Sequence, residues 1–178
     1  EWRADLFDLI ANTPNLDWLL LTKRIGNAER MINAALLDDG PTWPWPNVWI
    51  GATVVNQAEA DRDIPKLLTV PAAVRFLSIE PMLGAIDLER PMPGPDLEQG
   101  GGAKICQPWM IQSGIDWVIC GGESGPGARP MHPDWALELR DQCEAAGVAF
   151  LFKQWGEWAP GESGGPVTRT EQTAKWWN

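Results

Sequence analysis

Charged side chains follow the ends of several short apolar runs in this chain, where they could act on a bound ligand. Glu80 follows the run 74–79, Glu123 follows the run 117–120, and Lys153 follows the run that ends at Phe152. Two carboxylates beside an amine can exchange protons with a substrate, as in glycoside cleavage. Glu80, Glu123 and Lys153 are therefore candidate catalytic residues. The same charges could instead form structural ion pairs or bind ribose hydroxyls, and the sequence leaves these alternatives open.

Further residues near the same run ends form a candidate cofactor-binding set. Cations can hold a phosphate or a carboxylate, and a glycine-rich turn can bring backbone N–H groups to an anion. Asn56 is also predicted to cap the helix that follows it. The candidate cofactor-binding residues are Lys23, Arg24, Thr53, Asn56, Gly121, Gly122, Ser124 and Gln154.

No metal site is predicted from this sequence. His132 is the single histidine, and its position just before a helical pattern favours a capping or loop role. The three cysteines, Cys106, Cys120 and Cys143, are widely spaced, and no pair has the spacing of metal ligands. Cys120 is expected to be a small buried apolar residue.

Apolar runs that alternate with helical patterns must position these candidates. The long crossovers predict an α/β fold with about five parallel strands. Polar groups at nearly every strand end favour a partial TIM-like (β/α) barrel over a doubly wound sheet. A helix at the start with no strand before it implies that one or more N-terminal strands are missing. The predicted strands are 18–21, 48–55, 74–79, 117–120 and 148–152, and the predicted helices are 1–13, 27–37, 57–68 and 133–146.

The predicted domain organisation is one partial barrel followed by a tail. The barrel domain covers 1–158 and includes a long irregular insertion at 84–114, which is rich in glycine and proline. Residues 159–178 are predicted to form an extended C-terminal tail. Trp43 and Trp45 lie in a proline-rich loop and are expected outside the core.

Composition excludes some classes of protein. The net charge of −10 disfavours non-specific nucleic-acid binding, because an acidic surface repels phosphate backbones. No apolar run approaches the roughly 18 residues of a membrane span, so no membrane association is expected. The odd cysteine count is typical of a reducing compartment, which predicts a cytoplasmic protein.

Five segments together resemble the phage-associated three-cysteine-motif family, found in phages and bacteria. The block GGESGPGARP at 121–130 is the most specific of them. The resemblance covers roughly residues 1–158. The segments are Leu21–Arg24 (LTKR), Asn47–Val55 (NVWIGATVV), Arg75–Gly84 (RFLSIEPMLG), Asp116–His132 and Phe152–Gly156 (FKQWG).

The resemblance implies a barrel-like fold that uses S-adenosylmethionine and an iron–sulfur cluster in the full-length protein. Members usually begin with a cysteine-rich segment similar to the cluster-binding loop of radical S-adenosylmethionine enzymes. This chain lacks the three clustered cysteines, so it is not expected to assemble the cluster by itself. A missing N-terminal segment or a protein partner would have to supply it.

Three functions therefore remain open at this point. The first is the barrel portion of a radical S-adenosylmethionine-like enzyme that binds a small anionic or nucleotide-like ligand at the strand ends. The second is a glycoside hydrolase-like or sugar-binding barrel, suggested by Glu80, Glu123 and the twelve tryptophans. The third is a non-enzymatic module for phage or host interactions, suggested by the missing cluster loop and the insertion at 84–114.

Overall fold

A computed structural model describes residues 2–36, 42–91, 110–160 and 166–168 of the 178-residue chain. Helices and strands alternate through most of this part. Short 3-10 turns lie at Ile25–Asn27 and Ile111–Ser113. The helices are α1 (Trp2–Ala11), α2 (Ala28–Asn33), α3 (Gln57–Thr69) and α4 (Pro133–Ala146). The strands are β1 (Trp18–Thr22), β2 (Val48–Thr53), β3 (Val74–Ile79), β4 (Trp117–Gly121), β5 (Ala149–Gln154), β6 (Trp158–Pro160) and β7 (Pro166–Thr168).

The first five strands form one parallel sheet in chain order, β1-β2-β3-β4-β5. This confirms the predicted α/β class and the five parallel strands. Strands β1 and β5 are the two edges, and no pairing between them occurs within the described residues. Barrel closure therefore stays a prediction. Crossovers between parallel strands are right-handed almost without exception, so a sheet in chain order places its helices on one face.

The hydrophobic core lies between that face and the helices. Alternate residues of the central strands are almost fully buried there, including Ile50, Leu77 and Val118. Helix α3 contributes Ile64 and Leu67, which are fully buried in the same cluster. At about 25 cal/mol per Å² of buried apolar surface, such side chains contribute most of the stabilisation of a fold of this size.

Local sequence sets the ends of the two longest helices. Asn56 caps α3 by accepting a hydrogen bond from the Glu59 backbone N–H at 3.0 Å, and the Glu59 carboxylate accepts one from Val55 N at 3.1 Å. The bond from Glu59 N confirms the predicted cap, and the Glu59 carboxylate reaches back one residue beyond the N-cap, in a variant of the capping box. Pro65 lies inside α3 without ending it. At α4, His132 Nδ1 accepts from Asp134 N at 3.2 Å, so the predicted capping role of His132 is confirmed.

One expectation about the core was wrong. Trp45 is buried, with 7% of its surface exposed, and it belongs to the core cluster. Its ring contacts Phe7 of α1 at a centroid distance of 5.7 Å, and Trp43 lies 6.0 Å from Trp45. The proline-rich loop is irregular in its backbone, but its indole rings cover the apolar face of α1. Proline content predicted the loop and gave no information about the burial of its side chains.

The second face of the sheet carries an aromatic cluster. Trp49 of β2 and Trp117 of β4 meet edge to face at 6.0 Å, and Phe76 of β3 lies 6.0 Å from Trp117. The register pairs Gly51 with Phe76, and a Cβ at Gly51 would overlap the Phe76 ring. Gly51 therefore leaves the space in which Phe76 is buried.

Some predicted segments lie partly outside the described residues. Of the insertion at 84–114, residues 92–109 are outside. In the segment predicted to be an extended tail, β6 and β7 form a two-stranded antiparallel pair. Cys143 and Cys120 are buried, as expected. Within the described ranges, no helix combines the length and the apolar character needed to cross a bilayer.

Replacing Gly51 with alanine should destabilise the protein, because the new methyl group would overlap a buried ring. We expect the free energy of unfolding to fall by about 1–3 kcal/mol, the usual cost of overpacking a core. Urea denaturation followed by tryptophan fluorescence measures the change. Adding Phe76→Leu to Gly51→Ala should recover part of the loss.

Gly84→Ala is the matched control, because a Cβ at Gly84 would meet only Asn56 Cβ at 3.9 Å, an ordinary contact. Equal destabilisation by the two alanines would contradict the proposed overlap at Gly51.

Candidate functional site

Because the strands are parallel, the carboxyl ends of β2 to β5 lie at the same end of the sheet. Thr53 and Ser78 are direct partners in the register of β2 and β3. Side chains alternate along a strand, so Ser78 lies on the same face as Phe76, the face opposite the helical core. The two hydroxyl groups therefore lie side by side on the face that carries the aromatic cluster, nearer the carboxyl ends of the strands.

These two hydroxyl groups are buried without a hydrogen-bond partner in the part of the chain that the structure describes. Thr53 and Ser78 are each only 6% exposed, and neither side chain forms a hydrogen bond with any described residue. Leaving a buried hydroxyl without a partner costs about 1–3 kcal/mol. Groups of this kind in a native protein usually meet a ligand or an ordered water.

The Glu80 carboxylate, which follows β3, forms hydrogen bonds across β4 to two residues at the end of β5. Oε2 accepts a hydrogen bond from Lys153 Nζ at 3.0 Å, and Oε1 accepts one from Gln154 Nε2 at 3.0 Å. The link passes over β4 at Gly121, where a Cβ would lie 3.1 Å from Glu80 Oε1. Gln154 also donates to Ser124 Oγ at 3.3 Å. The structure therefore brings four of the predicted site residues together with Gly121: Glu80, Lys153, Gln154 and Ser124.

The glycine-rich turn after β4 makes a close backbone contact. A Cβ at Gly122 would overlap the Trp155 carbonyl, and a Cβ at Gly156 would overlap the carbonyl of Glu123. Hydrogen bonds from Gly122 N to Gln154 O at 2.9 Å and from Glu157 N to Glu123 O at 2.8 Å join the two segments. Gly156 also has a φ of +80°, which favours glycine. This contact holds Gln154 beside Glu80.

Glu123 is engaged in a different way from Glu80. Arg129 binds its carboxylate with two parallel hydrogen bonds, Nη2 to Oε1 at 2.6 Å and Nε to Oε2 at 2.8 Å. The Arg129 backbone N–H adds a third bond at 2.8 Å. These bonds lower the pKa of Glu123 to about 2, mainly through the Arg129 side chain. Glu123 is thus held as a carboxylate that closes the turn 123–129, which disfavours a role as general acid.

The remaining predicted residues lie elsewhere or are already occupied. Lys23 and Arg24 follow β1 and line two cavities to which neither Glu80 nor Lys153 contributes. The side-chain oxygen of Asn56 is used by the cap of α3.

Within the described ranges, no group of three or more His, Cys, Asp or Glu side chains could hold a metal ion. Cys120 and Cys143 are buried, and burial raises the pKa of each to about 12. Two cysteines are fewer than an iron–sulfur cluster requires. Cys106 lies outside the described residues.

Sequence reasoning missed three residues that the structure makes important. Ser78 alternates with Phe76 and Glu80 along β3, and this two-residue period was a signal that could have identified it. Arg129 follows Glu123 by six residues, a spacing with no regular pattern. The role of Gly156 depends on a contact with another segment, which no local pattern reveals.

Arg129→Gln should raise the pKa of Glu123 toward the ordinary value of 4.5, because the charged hydrogen bonds are lost. A carboxyl group whose pKa is lowered by folding stabilises the protein above its unfolded-state pKa, and that stabilisation disappears as the pH falls through the folded-state pKa. Wild type should therefore be more stable than the variant above about pH 4.5. The difference should close as the pH approaches 2. Carboxyl-carbon NMR titration and thermal unfolding between pH 2 and 7 measure the two effects.

Arg140→Gln is the control, since Arg140 bonds only its exposed neighbour Asp141 among the described residues. It should leave the pKa of Glu123 unchanged. An unaltered pKa of Glu123 in Arg129→Gln would show that the Arg129 bonds do not hold this carboxylate.

Comparison with known proteins gives a family and no named relative. No curated protein and no solved structure gives a significant match to the chain. A family model described as "Protein of unknown function (DUF5131)" matches residues 1–176. That description mentions neither phages nor radical chemistry, so both expectations stay predictions. Because the match covers nearly the whole sequence, the chain belongs to the DUF5131 family of proteins of unknown function.

Proposed function

We propose that the carboxyl ends of β2 to β5 bind a small anionic or nucleotide-like ligand such as S-adenosylmethionine. The observation behind this proposal is the pair of buried hydroxyl groups of Thr53 and Ser78, which have no partner among the described residues. A ligand with hydroxyl, amine or carboxylate groups would satisfy both. The free energy now lost by leaving them unpaired would then favour binding.

The groups around the hydroxyl pair suit such a ligand. Lys153 is bonded to Glu80 through one of its three donors and is 54% exposed, so further donors are available to an anion. Glu80 can accept hydrogen bonds from ligand hydroxyls, as carboxylates at ribose sites do.

We further propose that the sheet is part of a barrel wall. Strand order follows chain order, as it does in (β/α) barrels. On the edge strands, Leu19, Leu21 and Leu151 are 44%, 49% and 43% exposed. Enclosure in a barrel would remove such residues from water.

The proposed enzyme class is a radical S-adenosylmethionine-like enzyme, and it depends on the resemblance of the sequence motifs. An iron–sulfur cluster does not fit the described residues, because they include only two cysteines and no group of three or more side chains that could ligate a metal. The proposal for this chain is therefore limited to binding and orienting the ligand. Sugar cleavage is less well supported: with Glu123 held ionised, Glu80 would have to be the acid, and both of its oxygens already accept hydrogen bonds from Lys153 and Gln154.

Removing the unpaired hydroxyls separates ligand binding from stability. We expect Thr53→Val and Ser78→Ala to leave the melting temperature unchanged or higher, because each removes a buried polar group without a partner. Affinity for S-adenosylmethionine, measured by isothermal titration calorimetry, should fall about tenfold in each variant, the loss of roughly one hydrogen bond.

Thr13→Val is the matched control, because the Thr13 hydroxyl donates to Leu9 O at 2.8 Å and accepts from Trp18 Nε1 at 3.0 Å. It should lower the melting temperature and leave the affinity unchanged. The proposal fails if wild type binds neither S-adenosylmethionine nor adenosine monophosphate, or if the Thr53 and Ser78 variants bind them as tightly as wild type does.

A further inference from the structure

Four cationic residues line an open cavity beside the turn that follows β1. The cavity has a volume of about 320 Å³ and lies between the 3-10 turn Ile25–Asn27 and α3. Its cations come from two elements that contact each other, the β1–α2 link and α3. The lining charges are Lys23, Arg24, Arg62, Lys66 and the carboxylate of Asp63.

Asp63 holds two of the cations in place. It is 5% exposed and accepts bonds from Arg62 Nη2 at 2.6 Å, Arg62 Nε at 3.0 Å and Lys66 Nζ at 2.9 Å. These contacts, the Arg62 hydrogen bond first, lower the pKa of Asp63, so it is ionised at neutral pH. With its oxygens occupied, Asp63 fixes the heads of Arg62 and Lys66 and leaves their other N–H groups available.

The other two cations, Lys23 and Arg24, belong to the turn after β1. Lys23 and Arg24 are exposed, and neither forms an ion pair with any described residue. The Arg24 backbone N–H donates to Thr22 Oγ1 at 3.0 Å, which fixes the turn that presents both side chains.

The cavity is therefore positive in a chain of net charge −10. Four cations and Asp63 leave a charge of +3. Glu59 lies 3.9 Å from Arg62 Nη2 and does not line the cavity. Counting it as well still leaves +2. Like charges held together in this way repel one another, and a multivalent anion would relieve the repulsion.

We propose that this cavity binds a diphosphate group, either free or as part of a nucleotide. A single carboxylate would neutralise only one of the excess charges. One phosphate group carries about −1.5 to −2 at neutral pH and would leave part of the +3 excess, whereas two linked phosphate groups can neutralise it. Phosphate oxygens also match the planar donor face of arginine. The site shares no residue with the hydroxyl and Glu80 group proposed above, so either proposal can fail without the other.

Titration of the intact chain with inorganic pyrophosphate in low-salt, magnesium-free buffer tests the site. We expect saturable one-to-one binding in calorimetry, and a loss of affinity of about tenfold in Arg24→Gln, since one charged hydrogen bond contributes at least that much. Arg24 is exposed and its side chain forms no hydrogen bond with the described residues, so the variant should fold with an unchanged melting temperature. Added salt should weaken binding through screening.

Arg140→Gln is the matched control, because it removes an exposed arginine far along the chain, on α4. It should change the affinity less than twofold, as expected for a charge outside the site. Comparable weakening by Arg24→Gln and Arg140→Gln would overturn the proposal, because it would indicate unspecific attraction. So would the absence of pyrophosphate binding in wild type.

Adenosine diphosphate and adenosine distinguish the two sources of the group. Equal affinity for pyrophosphate and adenosine diphosphate supports a site that contacts only the phosphate groups. Tighter binding of adenosine diphosphate supports a nucleotide site. Binding of adenosine without binding of pyrophosphate would overturn the assignment.

Discussion

The parallel pairing of five strands in chain order determines where the helices, the core and the candidate site lie. Helices α2, α3 and α4 follow β1, β2 and β4, and because such crossovers are right-handed almost without exception, these helices and the core share one side of the sheet. The carboxyl ends of all five strands then lie at the same end of the sheet. The polar residues that follow these strands are neighbours because of this pairing, although more than twenty positions separate them along the sequence.

Three glycines allow the close contacts that position the side chains of the candidate site. Gly121 allows the Glu80 side chain to pass over β4 and reach β5. Gly122 and Gly156 allow the segments after β4 and β5 to touch, which places Gln154 against Glu80. In each case the missing Cβ leaves room for another group to approach. The glycine-rich turn therefore serves close packing, a role that does not require an anion at its backbone.

Charge is divided between two regions that look alike in the sequence. Lys23, Arg24 and Lys153 all follow predicted strands, and the sequence analysis therefore placed them all among the strand-end candidates. In the structure Lys153 pairs with Glu80, whereas Lys23 and Arg24 lie beside the cations of α3. β1 and β5 each lie two strands from β3, so distance across the sheet does not separate the two regions. Gly121 leaves room for the Glu80 side chain to reach Lys153 on β5, whereas the turn after β1 contacts α3.

Sequence alone determined the α/β class, the five strands and the cap at Asn56, because apolar periodicity and capping chemistry act over a few residues. It also selected Glu80, Lys153 and Gln154 as members of a strand-end site. Only the tertiary structure decided that Trp45 is buried, that Arg129 holds Glu123 ionised, and that the hydroxyls of Thr53 and Ser78 meet no partner among the described residues. Those properties depend on which groups from distant segments meet, and contacts of that kind leave no periodic trace in the sequence.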